Sequence, residues 1–363
     1  MSLQTASFVF DCPQNVRDAP GQVLKMAAKQ YWTPASMTNS HGLVLLFAHC
    51  IGGHKEQWEP TIERIFALRP GIVREVWAFD WQTHGESAVL NSQLLRTSPS
   101  RVYGVSALEW SDAIAAFVNS PRMRGKRIVP IGHSAGAGTM SASIFLPSAF
   151  GNYLLIMNFC GMIRVLTTKD KLVSEIPYAS FILIEPTIIS RDLFYAYLED
   201  RAGQMEFVVA ATTARRERWR SREDAHSWMS KRVPWELWDP RVVRKLNEHG
   251  LADAPDGGVA IKGDRLQEAL SYPDVQPHFD AAQELCRISL NIPVHFIWGG
   301  EGSLVPQFVQ DALAKSDGRV AASVTRIDAG HMVVQEQPDA VADKICAVLD
   351  TIESFEAQGR SKL

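Results

Sequence analysis

The pentapeptide Gly132-His133-Ser134-Ala135-Gly136 is the segment of this chain whose residue types point most directly to chemistry. It follows an apolar, strand-like run at residues 127–131 and precedes a stretch of small residues that is typical of a helix start. In the pattern Gly-x-Ser-x-Gly, the serine sits on a sharp turn between a strand and a helix, with its hydroxyl clear of the backbone. We therefore predict that Ser134 is the nucleophile of a covalent acyl transfer.

A histidine near the carboxyl end of the chain has the setting of a catalytic base. His331 lies in Asp328-Ala329-Gly330-His331-Met332, directly after the last predicted strand. A serine hydroxyl is a poor nucleophile until a neighbouring imidazole accepts its proton, and Gly330 allows the tight turn that such a histidine needs. We predict His331 as this base, against the alternative of a histidine with a purely structural role.

The imidazole needs a carboxylate that holds its tautomer, and two positions could supply one. Glu185 stands at the end of the predicted strand 181–184 and is followed by Pro186. Glu301 lies in Trp298-Gly299-Gly300-Glu301-Gly302, a loop in which the more usual Trp-Gly-x-x-Asp pattern would place the acid at position 302. We predict Glu185 as the acid and keep Glu301 as the alternative. A hinge residue of the segment that follows is the other interpretation of Glu185.

A tetrahedral intermediate would need two backbone N–H groups aimed at its oxyanion. Ala135, directly after the serine, is predicted to supply one of them from the first turn of a helix. The loop after the first strong strand reads His49-Cys50-Ile51-Gly52-Gly53-His54 and is predicted to supply the other. Counting from His49 selects Ile51 as the donor, and the glycines allow the backbone to approach closely.

The composition is that of a globular protein and argues against several classes of function. The 363 residues are 46% hydrophobic and 21% charged, and the net charge of -3 is not that of a nucleic-acid-binding protein. The five cysteines are scattered, without Cys-x-x-Cys spacing, so we expect reduced thiols and no disulfide framework. Cys50 and His54 have no further partners at metal-ligand spacing. We predict neither a metal nor a cofactor.

Apolar runs alternate with helical stretches along most of the chain. The predicted strands cover residues 43–48, 73–79, 126–131, 181–184, 294–298 and 321–327, and predicted helices at 55–67 and 106–118 separate the early strands. This alternation is typical of an α/β fold with a mostly parallel central sheet and helices on both faces. The block at 187–290, rich in helix formers, Trp and Arg, interrupts it and predicts an inserted helical lid above the site.

The predicted domain organisation follows from these blocks. Residues 1–186 form the first part of the core, with an extra insertion at about 151–176, residues 187–290 form the lid, and residues 291–356 complete the core. Residues 357–363 form a flexible tail ending in Ser361-Lys362-Leu363, the tripeptide that the peroxisomal import receptor reads at a free C-terminus. Neither a secretory signal nor a membrane span is predicted, so the expected location is the peroxisome.

Taken together, these motifs resemble the α/β-hydrolase superfamily over residues 43–348. The segment from Asp80 to Ser87 is similar to its Asp-x-x-Gly-His-Gly-x-Ser loop, and residues 49–60 are similar to its oxyanion loop, with Cys50 in place of glycine. Residues 330–338 match its Gly-His…Glu-x-Pro ending. More narrowly, residues 48–60, 184–186, 238–242 and the terminal tripeptide resemble the fungal peroxisomal abhydrolases of host-selective toxin clusters.

The resemblance implies the α/β-hydrolase fold and cleavage of an ester or acyl-thioester of a fatty-acid-like or polyketide-derived substrate, in fungal secondary-metabolite (toxin) biosynthesis. Superfamily members that open epoxides or remove halogens attack with an aspartate, so Ser134 favours ester or thioester chemistry. A peroxisomal address adds a CoA thioester to the candidate small-molecule acyl substrates. An acyltransferase or lyase with the same residues, or a non-catalytic ligand-binding scaffold, remains the alternative.

Two features of the predicted lid have both a functional and a structural interpretation. Five arginines could bind the phosphates of coenzyme A, or they could form a solvated helix face with local ion pairs. Four tryptophans could line an acyl tunnel, or they could form the core of the lid. The residues are Arg215, Arg216, Arg218, Arg220 and Arg222, and Trp219, Trp228, Trp235 and Trp238.

Overall fold

A computed structural model describes residues 3–142, 176–255, 257–300, 303–315 and 318–360. Its strands are β1 (Gln4–Asp11), β2 (Lys25–Trp32), β3 (Leu43–Ala48), β4 (Val73–Phe79), β5 (Arg127–His133), β6 (Phe181–Ile184), β7 (Arg218–Trp219), β8 (Leu251–Asp253), β9 (Val259–Ile261), β10 (Val294–Trp298) and β11 (Ser323–Arg326). Eight of them form one sheet in the order β1-β2-β4-β3-β5-β6-β10-β11. The sheet is parallel from β4 through β11, and only β2 pairs antiparallel with its neighbours β1 and β4.

The predicted strands are confirmed, with small shifts at their ends. The strand predicted at 126–131 continues to His133, and the strand predicted at 321–327 is shorter, at Ser323–Arg326. Strands β1 and β2 form an antiparallel extension of the sheet that the sequence analysis did not predict. Strands β3, β5 and β6 are buried along nearly their whole length, as strands covered on both faces must be.

The helices of the described residues connect these strands and build the lid. They are α1 (Pro34–Met37), α2 (Glu59–Leu68), α3 (Gly85–Thr97), α4 (Ala107–Val118), α5 (Ala135–Ala142), α6 (Arg191–Ala196), α7 (Leu198–Ala214), α8 (Arg222–Met229), α9 (Pro240–His249), α10 (Arg265–Ala269), α11 (Gln276–Ile288), α12 (Gln307–Lys315), α13 (Val333–Glu336) and α14 (Pro338–Arg360). The helix predicted at 55–67 is a 3-10 turn at Lys55–Trp58 followed by α2. Ser106 caps α4, and Glu109 completes a capping box by accepting from the backbone N–H of Ser106.

Apolar side chains of the helices cover both faces of the sheet, as the alternation of strands and helices predicts. On one face, α4, α5 and α11 contribute Trp110, Met140 and Leu285 to a single buried cluster. On the other face, α2 and α14 contribute Ile65 and Leu349 to a second cluster. The central sheet is therefore a buried, rigid frame, and the loops at the carboxyl ends of its parallel strands are held from two sides.

The lid lies between β6 and β10 and combines helices with a small sheet. Strands β7, β9 and β8 form a three-stranded antiparallel sheet, and helices α8 and α9 pack together beside it. Helix α11, which falls within the predicted lid range of 187–290, packs instead on α5 as part of the cluster over the central sheet. The predicted inserted lid is thus present, with a more mixed secondary structure than an all-helical block.

The lid tryptophans form the interior of the lid. Trp219, Trp235 and Trp238 are buried together with apolar residues of α9, and Trp228 packs on them, with its ring centroid 5.5 Å from those of Trp219 and Trp235. The acyl-tunnel interpretation of these residues is wrong. A segment of this size must bury apolar side chains of its own, and these tryptophans are among them.

Three of the five lid arginines make side-chain contacts within the lid. Arg215 binds the Glu268 carboxylate with two hydrogen bonds of 2.6 and 2.9 Å, and Arg216 lies over the rings of Trp219 and Trp228. Arg222 donates to the backbone carbonyl of Asn247, at the carboxyl end of α9. These contacts favour the structural interpretation of the arginine-rich stretch over a phosphate site.

Several predicted features lie outside the described residues. They are residues 151–175 of the predicted insertion, the alternative acid Glu301, and the terminal Ser361, Lys362 and Leu363. Among the helices of the described ranges, none is both long enough and apolar enough to cross a membrane.

Candidate active site

Ser134 occupies the turn between β5 and α5, in a backbone conformation that non-glycine residues rarely adopt. Its φ is 55°, and its backbone N–H donates to the carbonyl of Ile184 at the end of β6 over 2.9 Å. The central sheet therefore fixes the turn, and the strain of the left-handed conformation, on the order of 1–3 kcal/mol, is held by the surrounding structure. The serine side chain is raised above the sheet at the first turn of α5, as the sequence pattern predicts.

The glycines on either side of the serine are required because helix α5 approaches the sheet very closely. A Cβ atom on Gly132 would lie 2.3 Å from the carbonyl oxygen of Gly136. A Cβ atom on Gly136 would lie 2.5 Å from the carbonyl oxygens of Ala48 and His49. In both cases the obstacle is backbone, which cannot rotate away as a side chain can.

We expect Gly136→Ala to destabilise the fold and to displace the loop that begins at His49. The methyl group would collide with two backbone carbonyls, so the unfolding free energy should fall by about 2–3 kcal/mol, within the range for overpacked cores. Gly138→Ala is the matched control in the same helix, because its methyl group would meet only Ile188, at 3.9 Å. Alanine is the better helix former, so this control should melt at the wild-type temperature or above it. Equal melting temperatures for the two variants would contradict the packing argument.

The structure brings Ser134, His331 and Glu185 into one hydrogen-bonded chain. The Nε2 atom of His331 lies 2.9 Å from the Ser134 Oγ, and its Nδ1 atom lies 2.8 Å from the Glu185 Oε2. All three side chains are buried, and Glu185 is fully so. A carboxylate can only accept, so Nδ1 carries the proton and donates it to Glu185, and Nε2 is left to accept from the serine hydroxyl. This tautomer is the one that general-base catalysis requires.

Glu185 has supporting partners that the sequence analysis did not identify. The Ser303 hydroxyl donates to its Oε2 over 2.7 Å, and the Gly299 backbone N–H donates to its Oε1 over 2.5 Å. Both donors come from the loop after β10, the loop that carries the alternative acid. Glu185 has a φ of 46° and is, with Ser134, one of the two non-glycine residues with positive φ among the described residues. Two such conformations side by side mark this as a site where the fold holds strained backbone in place.

The backbone around His331 is fixed by two neighbouring side chains. His133 Nε2 lies 2.8 Å from the carbonyl oxygen of His331, and burial lowers the pKa of His133 to about 3, so this imidazole is neutral and donates there. The Glu336 carboxylate accepts from the Gly330 backbone N–H over 2.8 Å. The spacing between the Gly-His pair and Glu336 therefore has a physical reason: it brings the Glu336 carboxylate to the turn that carries the base, and the carboxylate anchors that turn.

The predicted oxyanion donors, Ile51 and Ala135, come from two different loops near the serine. Ala135 is the first residue of α5, where backbone N–H groups have no partner within the helix. Ile51 lies in the wall of the cavity that contains Ser134. Among the described residues, we find no hydrogen bond from the backbone N–H of Ile51 or of Ala135. Both N–H groups are therefore free to donate to an oxyanion, as the prediction requires.

Two buried histidines hold the loop that carries Ile51. His49 Nδ1 donates to the carbonyl of Cys50 over 2.7 Å, and its Nε2 accepts from the Trp81 backbone N–H over 3.1 Å. His84 Nε2 accepts from the Gly52 N–H over 3.1 Å. Burial lowers the pKa of His49 to about 4 and places that of His84 well below its usual value. Both rings are therefore neutral, which lets each accept a backbone hydrogen bond.

The Asp80 carboxylate ties this loop to the loop after β4. It accepts from the backbone N–H and the ammonium of Lys55, over 2.8 and 2.7 Å, and from the Glu86 N–H over 2.8 Å. Gly85 has a φ of 51°, and a Cβ there would overlap the Asp80 carboxylate. Although burial alone would lower the pKa of Lys55, the carboxylates of Asp80 and Glu56 raise it above its usual value. The cation is therefore a fixed structural charge.

A mostly apolar cavity of about 230 Å³ lies beside the serine and the histidine. It lies between the core loops and the lid, and helix α7 contributes four residues to its wall. Its described lining is Cys50, Ile51, Ser134, Thr187, Ile189, Phe194, Arg201, Gln204, Met205, Val208, Tyr272, Val275, His278, Leu304, Val305, Pro306, Val309, His331 and Met332. The volume is below the range of about 300–1,000 Å³ that is usual for drug-sized ligands, so the cavity suits a small or medium-sized group.

No cluster of three or more metal-ligating side chains occurs among the described residues. Cys50 and His54, the pair that the sequence placed closest to a metal pattern, have other partners. The Cys50 thiol is buried and accepts from the Gln335 amide, and His54 lies 2.9 Å from the Glu56 carboxylate. Burial raises the pKa of the Cys50 thiol to about 12, so it is a neutral part of the cavity wall.

Comparison with known proteins agrees with this architecture. The model of the alpha/beta hydrolase family matches residues 45–344, whereas a search of curated protein sequences finds no match. Among solved structures, the chain is similar to a peroxisomal alpha/beta-hydrolase from Saccharomyces cerevisiae, with 17% identity and a TM-score of 0.71, over 96% of this chain and 89% of that one.

Two further solved structures have lower structural similarity over nearly the whole chain. A thioesterase domain from the curacin biosynthetic pathway has 14% identity and a TM-score of 0.59, over 95% of this chain and 99% of that one. An esterase from Thermogutta terrifontis has 16% identity and a TM-score of 0.56, also over 95% and 99%. At these identities the likeness is one of fold. The family model spans well over half of the sequence, and the chain therefore belongs to the alpha/beta hydrolase family.

Proposed function

We propose that this protein is a serine hydrolase that cleaves an ester or an acyl-thioester through an acyl-serine intermediate. The observation that carries the proposal is the chain of two hydrogen bonds from the Ser134 hydroxyl through His331 to Glu185, at 2.9 and 2.8 Å. A serine on a strained turn, an imidazole in the accepting tautomer and a buried carboxylate are the parts that acyl transfer needs.

The geometry supports the following sequence of steps. Ser134 Oγ attacks the substrate carbonyl and passes its proton to His331 Nε2, while the backbone N–H groups of Ile51 and Ala135 bind the developing oxyanion. When the tetrahedral intermediate collapses, His331 gives that proton to the leaving alcohol or thiol. A water molecule then attacks the acyl-serine while His331 accepts its proton. Collapse of the second tetrahedral intermediate releases the carboxylic acid, and His331 returns the proton to Ser134 Oγ.

The apolar cavity beside Ser134 supports an acyl group of modest size as the bound part of the substrate. The sequence resemblance to abhydrolases of fungal toxin clusters adds a fatty-acid-like or polyketide-derived acyl group, in secondary-metabolite biosynthesis, to the proposal. The structural neighbours include an esterase and a thioesterase domain. The proposal therefore includes substrates with an alcohol leaving group and substrates with a thiol leaving group, such as a CoA thioester.

The proposal is tested with the purified full-length chain, aryl esters and acyl thioesters of two to twelve carbons, and a fluorophosphonate probe. We expect release of free acid and covalent labelling at Ser134, identified by mass spectrometry of the tryptic peptide. Adding an alcohol or amine acceptor separates hydrolysis from acyl transfer, because a transferase would form the new ester or amide in preference to the acid. Absence of both turnover and labelling would refute the proposal and favour a ligand-binding scaffold.

We further propose that the protein acts in the peroxisome when Ser361, Lys362 and Leu363 form its carboxyl terminus. The tripeptide is the signal that the peroxisomal import receptor reads, and a structural neighbour is a peroxisomal hydrolase. A fluorescent protein fused ahead of residue 1 should therefore collect in peroxisomes. Deletion of Leu363 alone should leave it diffuse, and a punctate peroxisomal pattern that survives this deletion would contradict the proposal.

A further inference from the structure

The cavity beside Ser134 contains one side chain that does not fit an apolar acyl site. Arg201, in helix α7, lines the cavity and is only partly exposed. No acidic side chain lines the cavity with it among the described residues. A guanidinium is always charged, so its partial burial in this wall costs some of its solvation.

Arg201 has no partner that offsets this cost within the described part of the chain. Its side chain takes part in none of the ion pairs or side-chain hydrogen bonds found there, and its Nε–H is buried without an acceptor. Burial lowers the pKa of the guanidinium, and the Asp200 carboxylate opposes this only in part. The two Nη groups also make no hydrogen bond within the described residues but are not buried, so they are the part of the guanidinium that a ligand in the cavity could contact.

Other arginines of this protein show which ligand a guanidinium binds here. Arg64 binds the Asp343 carboxylate side-on, with Nε at 2.7 Å from one oxygen and Nη2 at 2.9 Å from the other. Arg69 binds Asp350 in the same way, at 2.7 and 2.6 Å. Arg215, whose Nε is buried and unpaired like that of Arg201, binds the Glu268 carboxylate end-on through Nη1 and Nη2, at 2.9 and 2.6 Å. The Nη groups of Arg201 have no carboxylate on them within the described residues. A planar anion with two oxygens is the matching group.

The remaining polar groups of the wall already have partners or carry no charge. The Gln204 amide donates to the carbonyl of Leu304 over 3.1 Å, and His278 Nδ1 lies 3.4 Å from the Thr187 hydroxyl. Burial lowers the pKa of His278 to about 4, so this ring is neutral, and burial also raises the pKa of the Tyr272 phenol, which stays protonated. Arg201 therefore supplies the only permanent positive charge among the described residues of the wall.

We propose that Arg201 binds a carboxylate carried by the acyl group of the substrate, so that the preferred substrate is a monoester or monothioester of a dicarboxylic acid. This inference rests on the proposed function of Ser134. A cavity of about 230 Å³ holds an acyl chain with a terminal carboxylate but is too small for the nucleotide part of coenzyme A. A carboxylate on the acyl group therefore explains the charge better than a phosphate on the leaving group.

The test compares two six-carbon substrates that differ only in the terminal group: p-nitrophenyl hexanoate and the mono-p-nitrophenyl ester of adipic acid. Loss of one charge-assisted hydrogen bond lowers a binding or rate constant by about 10- to 150-fold. We expect Arg201→Met to lower the ratio of kcat/KM for the carboxylated ester over the neutral ester by about that factor, mainly through KM. Arg201→Lys should lower it less, because it keeps the charge and loses the fork.

The exposed lid residue Arg244 is the matched control, and Arg244→Met should leave the ratio unchanged. Melting curves of the three variants show whether they fold alike. An unchanged ratio in Arg201→Met, with Ser134 still labelled by the fluorophosphonate, would overturn the carboxylate inference and leave the hydrolase intact. A loss confined to hexanoyl-CoA, and absent with the hexanoyl thioester of N-acetylcysteamine, would overturn it in favour of a phosphate contact. Failure of labelling and of all turnover would refute both proposals.

Discussion

Replacement of Ser134 by alanine is expected to lower kcat for an activated ester by about 10⁴- to 10⁶-fold and to abolish fluorophosphonate labelling. The alanine removes the hydroxyl whose Oγ lies 2.9 Å from His331 Nε2, the nitrogen that accepts the proton. Residual turnover should then come from the backbone donors and from substrate positioning alone. The measurement is a burst-phase and steady-state assay with a p-nitrophenyl ester, on protein shown to bind a non-hydrolysable acyl ketone.

The double variant gives the sharper form of this prediction. If Ser134 and His331 act as one unit, His331→Ala alone should cost nearly as much as Ser134→Ala, and the double variant should be no slower than either single variant. Independent roles would instead give losses that multiply. Ser141→Ala is the matched control, because it removes a serine hydroxyl from the helix that follows Ser134, and that hydroxyl donates to the Ala137 carbonyl over 2.9 Å. Its activity should equal that of the wild type. A Ser134→Ala enzyme within tenfold of the wild type would exclude the acyl-serine pathway.

The part of the fold that the sequence predicts best is the part that is buried on both sides. Strand β3, at Leu43–Ala48, is buried at every residue, so its apolar run needs no periodicity to be recognised. The two strands at the β1 end of the sheet are less buried and less apolar. β1 reads Gln-Thr-Ala-Ser-Phe-Val-Phe-Asp and is exposed at alternate positions, and β2 contains Lys25, Lys29 and Gln30. Such strands are defined by their pairing partner more than by their own composition, which is why the sequence analysis missed them.

The convergence of the site residues follows from strand register, which the sequence does not reveal. His133 pairs with Ile184, and Ile184 pairs in turn with Ile297, so β5, β6 and β10 end at the same level of the sheet. The residues one step beyond those ends, Ser134 and Glu185, are therefore neighbours. From the sequence, each residue can be placed at the end of a strand, but the order of the strands in the sheet, and so which strand ends are adjacent, cannot be predicted.

Two side chains of the site carry no sequence signal that could have identified them. Ser303 donates to Glu185 from a loop in which serine has no special spacing, and Arg201 is one of several arginines in a charged lid. Both are defined by what surrounds them in space: a carboxylate in one case, and a cavity whose described lining holds no counter-charge in the other. Gly132 and Gly136 are the opposite case. The Gly-x-Ser-x-Gly pattern contains glycine at these two positions because helix and sheet pack too closely there for a Cβ atom.

Glu185→Gln is the second large prediction, with an expected loss in kcat of about 10⁴-fold at unchanged stability. The amide keeps its oxygen on the Gly299 N–H, but the NH₂ that replaces Oε2 must donate to His331 Nδ1. The ring then carries its proton on Nε2, pointing at the Ser134 hydroxyl, and it cannot act as base. Ser303 can adapt, since its hydroxyl also lies 3.3 Å from the Val305 carbonyl and can donate there while it accepts from the amide.

The fold should therefore survive this substitution while the chemistry fails, and that separation identifies Glu185 as the acid. Glu301→Gln is the matched variant on the loop after β10 and should retain activity, since Glu185 already occupies the His331 Nδ1. Ser303→Ala removes one of three donors to the carboxylate and should cost about tenfold, the scale of one charge-assisted hydrogen bond. The reverse ranking, with Glu301→Gln inactive and Glu185→Gln active, would transfer the role to the loop after β10. The strain at Glu185, whose φ is 46°, would then have no function to explain it.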